Sequence, residues 1–158
     1  MAGRIDYYDD PAAPAANTLV PSANVLAVND AGLVLMIHRT DNDNWAVPGG
    51  AMEIGETLAG CAVRETKEET GIDCEITGLV GIYTDPKHVI LYTSDGEARQ
   101  EFSVLFTARA VGASPTPSDE SREVLWVPRD ALADLQMDRS MRFRIQHWLD
   151  GKTEPYLG

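Results

Sequence analysis

Apolar positions along this chain fall mostly in short strand-like runs, and only two stretches carry a helical period. Residues 20–28 (VPSANVLAV) form one such run, and Asn29, Asp30, Ala31 and Gly32 follow as a turn. Residues 33–37 (LVLMI) resume the run, so the pair reads as a β-hairpin. A polar loop over 40–44 leads to a short extended piece at 45–47, which stops at Pro48-Gly49-Gly50. Further strands are predicted over 76–83, 88–93, 101–108 and 123–127, with 107–121 partly loop around Pro115 and Pro117. Residues 57–70 predict the clearest helix, opened by Thr57 as N-cap and stopped at Gly71. Residues 137–149 predict a closing helix, with Met141, Ile145 and Trp148 on one stripe.

Ala and Pro crowd the first twenty residues around Pro11, Pro14 and Pro21, and proline has no N–H for a ladder. An extended arm over 1–18 is expected there. Tyr7 and Tyr8 either pack on the domain or on a second subunit, or belong to a frayed end. No repeat or long linker divides the rest, so a single domain over 19–150 and a tail over 151–158 complete the organisation. Strands alternating with two helices put the fold in the α/β (α+β) class. A mixed central sheet between helices, an α/β/α sandwich, is the economical architecture.

The chain has 158 residues, enough for one sizeable core, and its 44% hydrophobic and 24% charged content is ordinary for a globular domain. The formal charge of −12 changes the picture more. So negative a surface repels nucleic acid and anionic lipid, and no nucleic-acid or membrane partner is expected. A small anionic substrate is repelled too unless cations sit in the site, which favours a metal requirement. Cys61 and Cys74 are too few for a disulfide framework and read as small buried hydrophobes in a reducing cytosol. The start, MAGRIDYYDD, has no apolar leader core, and no apolar run reaches spanning length, so a cytoplasmic location is expected.

Two features carry candidate chemistry. Asp41-Asn42-Asp43-Asn44 looks faintly like a calcium loop, but Ala46 stands where glycine is needed and Met52 where glutamate is needed, so a solvated loop is the better reading. On the 57–70 helix, Ala59, Ala62, Val63, Thr66 and Thr70 form a small-residue stripe suited to packing on a sheet. Glu65, Glu68 and Glu69 lie off it at i, i+3 and i+4, on neighbouring positions of one surface. Like charges there repel, more so near the negative end of the helix dipole. A bound hard cation accounts for such a cluster, but a solvated acidic face is the commoner explanation, and the cluster alone does not decide.

The preceding Gly-rich turn narrows the choice. Gly50, Glu56, Arg64, Glu65, Glu68, Glu69 and Gly71 stand at the spacing Gly-x5-Glu-x7-Arg-Glu-x2-Glu-Glu-x-Gly, within GAMEIGETLAGCAVRETKEETGI. Here the chain resembles the Nudix hydrolases, of which this is the signature box. Thr66 departs from the aliphatic residue usual after Arg-Glu, but it touches no ligand position; its hydroxyl can bond the i−4 carbonyl. The resemblance implies a Nudix-type sandwich and a divalent metal, Mg²⁺ or Mn²⁺, held by Glu65, Glu68, Glu69 and the Gly50 carbonyl. It implies that Glu56 pairs with Arg64 and locks the loop to the helix, and that the reaction is hydrolysis of a phosphoanhydride bond. The general base is a box glutamate, Glu68 or Glu69, or a later-loop residue, for which Glu120 and Glu123 are the candidates.

Substrate choice lies outside the box. Pro86, 15 residues after Gly71, resembles the ADP-ribose-hydrolysing subgroup, or else is an ordinary turn proline after Asp85. Arg39, His88 and Arg99 are candidates to meet phosphate, and Trp45 to stack a base or simply to pack. The favoured expectation is a nucleoside diphosphate linked to another moiety, ADP-ribose-like. The alternatives are a house-cleaning nucleoside triphosphate pyrophosphohydrolase and a non-catalytic nucleotide-binding module. Family habit and the N-terminal arm make a homodimer a reasonable assembly.

Overall fold

Burial divides the strands into a central set with no exposed face and a peripheral set with one. The computed structural model describes residues 3–112 and 114–158. In chain order the elements are β1 (Arg4–Tyr8), β2 (Thr18–Leu19), β3 (Ser22–Val28), β4 (Val34–Arg39), β5 (Trp45–Ala46), β6 (Gly49–Ala51), α1 (Leu58–Thr70), β7 (Asp73–Tyr83), β8 (His88–Tyr92), β9 (Ala98–Gln100), β10 (Ser103–Val111), β11 (Ser121–Val127), a 3₁₀ turn (Arg129–Asp134), α2 (Arg139–Leu149) and β12 (Tyr156–Leu157). Val25, Leu26 and Ala27 of β3 and Val34, Leu35 and Met36 of β4 are each fully buried, so both faces of these strands are covered. Asn24 reaches toward Arg144 of α2. By strand alternation its neighbours Ala23 and Val25 face the other way, the side on which α1 packs against β3. The central sheet therefore lies between the helices, as expected.

The central sheet is mixed and eight-stranded, in the order β11-β4-β3-β10-β7-β12. β10 runs parallel to β3 and β12 parallel to β7, while β11-β4 and β10-β7 are antiparallel. The β3-β4 hairpin is closed by the Asn29–Gly32 turn, with Asn29 Oδ1 accepting from the amides of Ala31 and Leu33. The two strands then splay, pairing only at Val28 and Val34. The short strands β5 and β6 fill the gap, β5 on β4 and β6 on β3, and the Val25 amide donates to the Pro48 carbonyl at 2.9 Å. This wedge carries the Gly49-Gly50 turn into the middle of the sheet.

Helix α1 begins and ends where its caps dictate. Thr57 accepts from the Gly60 amide at 2.9 Å, and Gly71 takes φ +75°, a left-handed conformation that suits glycine. The Thr66 hydroxyl bonds the Ala62 carbonyl at 2.7 Å, so this polar residue is fully buried with its donor satisfied. The closing helix starts two residues later than 137, because Asp138 caps it. No helix among the described residues is long and apolar enough to cross a membrane. Both cysteines are buried and free.

Among the described residues, 3–20 are not wholly the irregular arm that their prolines suggest. β1 pairs antiparallel with β8, from Arg4 opposite Tyr92 to Tyr8 opposite His88, and β2 pairs with β9. These four strands make a second sheet, in the order β1-β8-β9-β2. Tyr8 packs on its own domain: its ring stacks on His88 at 4.4 Å and its hydroxyl donates to Asp138 at 2.6 Å. The end of the chain likewise adds β12 to the central sheet beside Gly81, where Tyr156 stacks on Tyr83 at 5.1 Å.

Candidate active site

The three glutamates of α1 are neighbours, yet they do not share one solvent-facing surface. On a helix, i+4 lies about 40° to one side of i and i+3 about 60° to the other. Glu69 thereby rotates toward the sheet and is 3% exposed, Glu65 is half-buried, and Glu68 faces water. The expectation of a single acidic face is corrected on this point.

The Gly49-Gly50 turn approaches the helix closely. The Gly49 amide donates to Glu69 Oε2 at 3.2 Å. A Cβ on Gly50 would stand 2.5 Å from the Glu65 carboxyl carbon, so any larger residue displaces that side chain. Cys61 Sγ donates to the Gly50 carbonyl at 3.5 Å. Arg64 ties the turn to the helix: Nε and Nη2 grip Glu56, Nη2 donates to the Ala51 carbonyl at 3.2 Å, and Nη1 donates to Glu65 at 2.9 Å and Glu68 at 3.1 Å. A guanidinium fork holds several acceptors at fixed angles, which a lysine cannot do.

This wiring sets the electrostatics. Burial pushes the Glu69 carboxyl up to about 8, outweighing the Gly49 amide and the field of Arg39, while Glu65 and Glu120 push the same way. Burial also raises Glu65, against the pull of Arg64. Glu56 moves oppositely, held at about 2 by Arg64. Among the described residues no three His, Cys, Asp or Glu side chains already converge as a metal cage. The reason is visible: Glu65 and Glu68 turn to Arg64, and Glu69 turns to Gly49. The donor set nevertheless suits a hard cation. Glu65, Glu69 and Gly50 present oxygens to one cleft, and Glu69 is a buried carboxylate with a single hydrogen-bond donor for its four lone-pair sites.

That cleft has a volume of about 260 Å³. Of the residues singled out by sequence it brings together Gly50, Glu65, Glu69, Arg39, Trp45, Arg99 and Glu120. Trp45 stacks on His38 at 4.8 Å. Glu68, Glu56 and Arg64 do not line it. Three others lie elsewhere. Pro86 is exposed in the β7–β8 turn, where Asp85 Oδ1 accepts from the Lys87 amide at 2.9 Å, the geometry of an ordinary Asp-Pro turn. His88 is 2% exposed and fully engaged, with Nε2 on Asp6 at 2.7 Å and Nδ1 on Glu101 at 3.1 Å; it borders a separate cavity of about 270 Å³. Burial opposes a charge on His88, but these two carboxylates prevail and raise its pKa. Glu123 is exposed on β11, opposite His38.

Sequence reasoning missed Arg4 and Arg144, which also line the cleft. Arg4 was hidden in the arm. Arg144 had a signal: it falls between Met141 and Ile145 on the buried stripe of α2, and it is 7% exposed, with Nη2 on Glu101 at 2.6 Å.

Comparison with known proteins decides the family. The NUDIX domain family matches residues 18–149. The chain belongs to the Nudix hydrolase family. A MutT-like protein from Streptomyces ambofaciens is 31% identical to this Nudix hydrolase over 126 residues, covering 80% of the chain and 74% of that protein. An ADP-ribose pyrophosphatase from Methanocaldococcus jannaschii is 29% identical over 123 residues, covering 75% and 68%. Among solved structures, a MutT protein from Methanosarcina mazei Go1 superimposes with a TM-score of 0.69 at 20% identity, covering 87% of this Nudix chain and 98% of that one. This last likeness supports the shared fold.

Proposed function

We propose that this Nudix hydrolase cleaves a phosphoanhydride bond in a nucleoside diphosphate linked to another moiety, using Mg²⁺ or Mn²⁺. The observation that carries the reading is Glu69: a carboxylate 3% exposed, facing a cleft lined with arginines, with one backbone N–H as partner. Glu65, Glu68, Glu69 and the Gly50 carbonyl are the residues to hold the cation. When bound, it supplies charge withdrawal from the diphosphate oxygens and an acidified water.

The chain's own groups do the rest. Arg64, gripped by Glu56, fixes Glu65 and Glu68 in direction. Glu120 lines the cleft within Coulombic reach of Glu65 and Glu69 and is the later-loop candidate to accept the water's proton. Glu69 is the alternative base, with Glu68, held by Arg64, the further box candidate. Arg39, close enough to Glu69 to influence its proton affinity, meets a phosphate oxygen. Trp45 offers a flat face to a base.

ADP-ribose is the first substrate to test, on the name of the Methanocaldococcus relative. A nucleoside triphosphate is the second, and the extra arginines of the cleft speak for it. Incubation with Mg²⁺ and a nucleotide panel separates them: AMP plus ribose phosphate marks the first, and nucleoside monophosphate plus pyrophosphate the second. Tight binding without turnover of any member overturns the enzymatic reading in favour of a binding module.

A further inference from the structure

Arg4 and Arg144, the two cleft arginines without a local sequence signal for the site, stand at the ends of one row of alternating charge. Arg4 grips Asp6 with a two-point fork, Nε on Oδ2 at 3.0 Å and Nη2 on Oδ1 at 2.9 Å. Asp6 Oδ1 also meets His88 Nε2 at 2.7 Å. His88 Nδ1 meets Glu101 Oε2 at 3.1 Å, and the same oxygen accepts from Arg144 Nη2 at 2.6 Å. The row thus runs from β1 through β8 and the β9–β10 link to α2. Arg4, Glu101 and Arg144 line the cleft, whereas Asp6 and His88 do not.

The middle of the row decides its ends. Among the described residues the Asp6 carboxylate has only Arg4 and His88 as partners. Arg144 Nε is shut off from solvent without a protein acceptor, and Nη1 reaches Asn24 only at 3.5 Å, so Glu101 is its one close hold. The Asp85 amide steadies only the other oxygen of Glu101. Without the imidazole, Arg4–Asp6 and Arg144–Glu101 remain as two pairs whose mutual placement rests on the backbone.

An ionised carboxylate only accepts, and both ring nitrogens of His88 face one. Burial works against both acids, yet His88 and the arginines hold Asp6 well below the usual carboxylate range and Glu101 at about 2. Both nitrogens therefore carry protons; a neutral ring donates once and turns a lone pair on the other acid. Around them, Tyr8 of β1 stacks on the ring, Arg139 of α2 lies over Tyr8 at 5.1 Å, and Asp85 and Lys87 of the adjacent turn are exposed.

We propose that His88 is a positioning residue of the cleft: as an imidazolium it keeps Arg4 and Arg144 in register without touching the substrate. Deprotonation breaks one of its two contacts and loosens the arginine beyond it. The alignment is complete below the ordinary imidazole value of about 6.5 and is lost as pH climbs through the raised value in the fold. This rests on the reading of the cleft as the substrate site.

The test uses the full chain, ¹⁵N-labelled at His and Arg, in nuclear magnetic resonance. At pH 7 both ring nitrogens of His88, identified by their loss on substitution, are expected to carry protons. Glutamine carries its amide nitrogen near the place of Nε2, and asparagine near that of Nδ1. His88→Gln therefore keeps the Asp6 side, and exchange is expected to quicken at Arg144 Hε but not at Arg4 Hε; His88→Asn reverses this. With Mg²⁺ and whichever of ADP-ribose and ATP is turned over, each variant is expected to raise KM about tenfold, the order of one hydrogen bond to a charged group, with kcat within about twofold. Wild-type KM rises likewise as pH climbs through the His88 titration, and the variants lack that rise. His147→Gln, outside the row and the cleft, leaves both constants unchanged. A ring neutral at pH 7, equal quickening at both arginines in both variants, or a fall in kcat at constant KM overturns the proposal. Should one variant not fold, the other and the wild-type pH series decide alike. If ring and exchange behave as expected but no nucleotide is turned over, the alignment by His88 stands and the hydrolytic reading fails.

Discussion

Replacing Glu69 with glutamine is expected to stabilise the metal-free protein while disabling it. The side chain is 3% exposed and has one donor, the Gly49 amide. Its carboxyl titrates at about 8 in the fold against 4.5 unfolded. Between those values the unfolded chain has released its proton and the folded one has kept it, so stability falls as pH rises through the window. At about 1.36 kcal/mol per pKa unit, holding this carboxyl against ionisation costs about 3 kcal/mol at pH 7 and about 1 kcal/mol or less at pH 5. Glutamine is isosteric and never ionises, so the penalty vanishes. For a chain of this size each kcal/mol moves the melting temperature by about 2–4 °C, so Glu69→Gln in EDTA is expected to melt about 6–12 °C above wild type at pH 7. The gap closes toward pH 5. Mg²⁺ is expected to raise the wild-type melting temperature and leave the variant unmoved, because a cation offsets the charge that glutamine lacks. Turnover is expected to drop by roughly several hundredfold. Thermal melts at pH 5 and 7, with and without Mg²⁺, check each part. A variant that melts below wild type in EDTA at pH 7 refutes the reasoning, since the buried carboxylate would then be a net stabiliser.

Four further expectations follow from contacts in and around the site. Gly49→Ala places a Cβ 2.4 Å from the Ala23 carbonyl oxygen and 2.7 Å from Asn24 Cα, backbone that cannot move aside, and is expected to lose about 1–3 kcal/mol or more in a urea melt. Gly50→Ala meets the Glu65 carboxylate first, a side chain that can swing aside, so it is expected to fold nearly as well as wild type but to lose Mg²⁺ affinity in titration. Arg64→Lys keeps the charge but cannot grip Glu56, Ala51 and Glu65 together; metal affinity is expected to fall about 10–100-fold with the circular-dichroism spectrum unchanged. His88→Leu removes the partner that Asp6 and Glu101 share, but Arg4 still holds Asp6 and Arg144 still holds Glu101, so a loss of about 1–3 kcal/mol in chemical denaturation is expected.

The parts of the fold that sequence reading reached are those with local signals. Thr57 and Gly71 bound α1 because capping is decided within one turn of chain, and Asn29–Gly32 closes its hairpin for the same reason. The β1 strand escaped because its sequence, RIDYY, has little apolar alternation and its partner β8 lies more than eighty residues away. Only that pairing makes Arg4 a cleft residue. The glutamate trio was legible as a cluster, but its division into a buried, a half-buried and an exposed member depends on where the sheet packs. Pro86 and His88 sit close in sequence to a region of interest, yet a turn and a two-carboxylate clamp account for them. Arg144 shows the opposite case, a charged residue at a core period that announced a buried role.

The two walls of the cleft belong to sheets of unequal size. Glu65 and Glu69 stand on a helix packed into the main apolar cluster, whereas Arg4 and Arg99 ride on four short strands whose buried residues Val89 and Ala98 lie outside that cluster. Regions with few large buried side chains open first. Amide exchange in the small sheet should therefore outpace exchange in α1 by a wide margin. Closing the cleft on a ligand amounts to borrowing order from one half of the molecule to fasten the other, so the tightness of grip and the firmness of β1, β2, β8 and β9 become the same quantity, measurable as slowed exchange there on saturation.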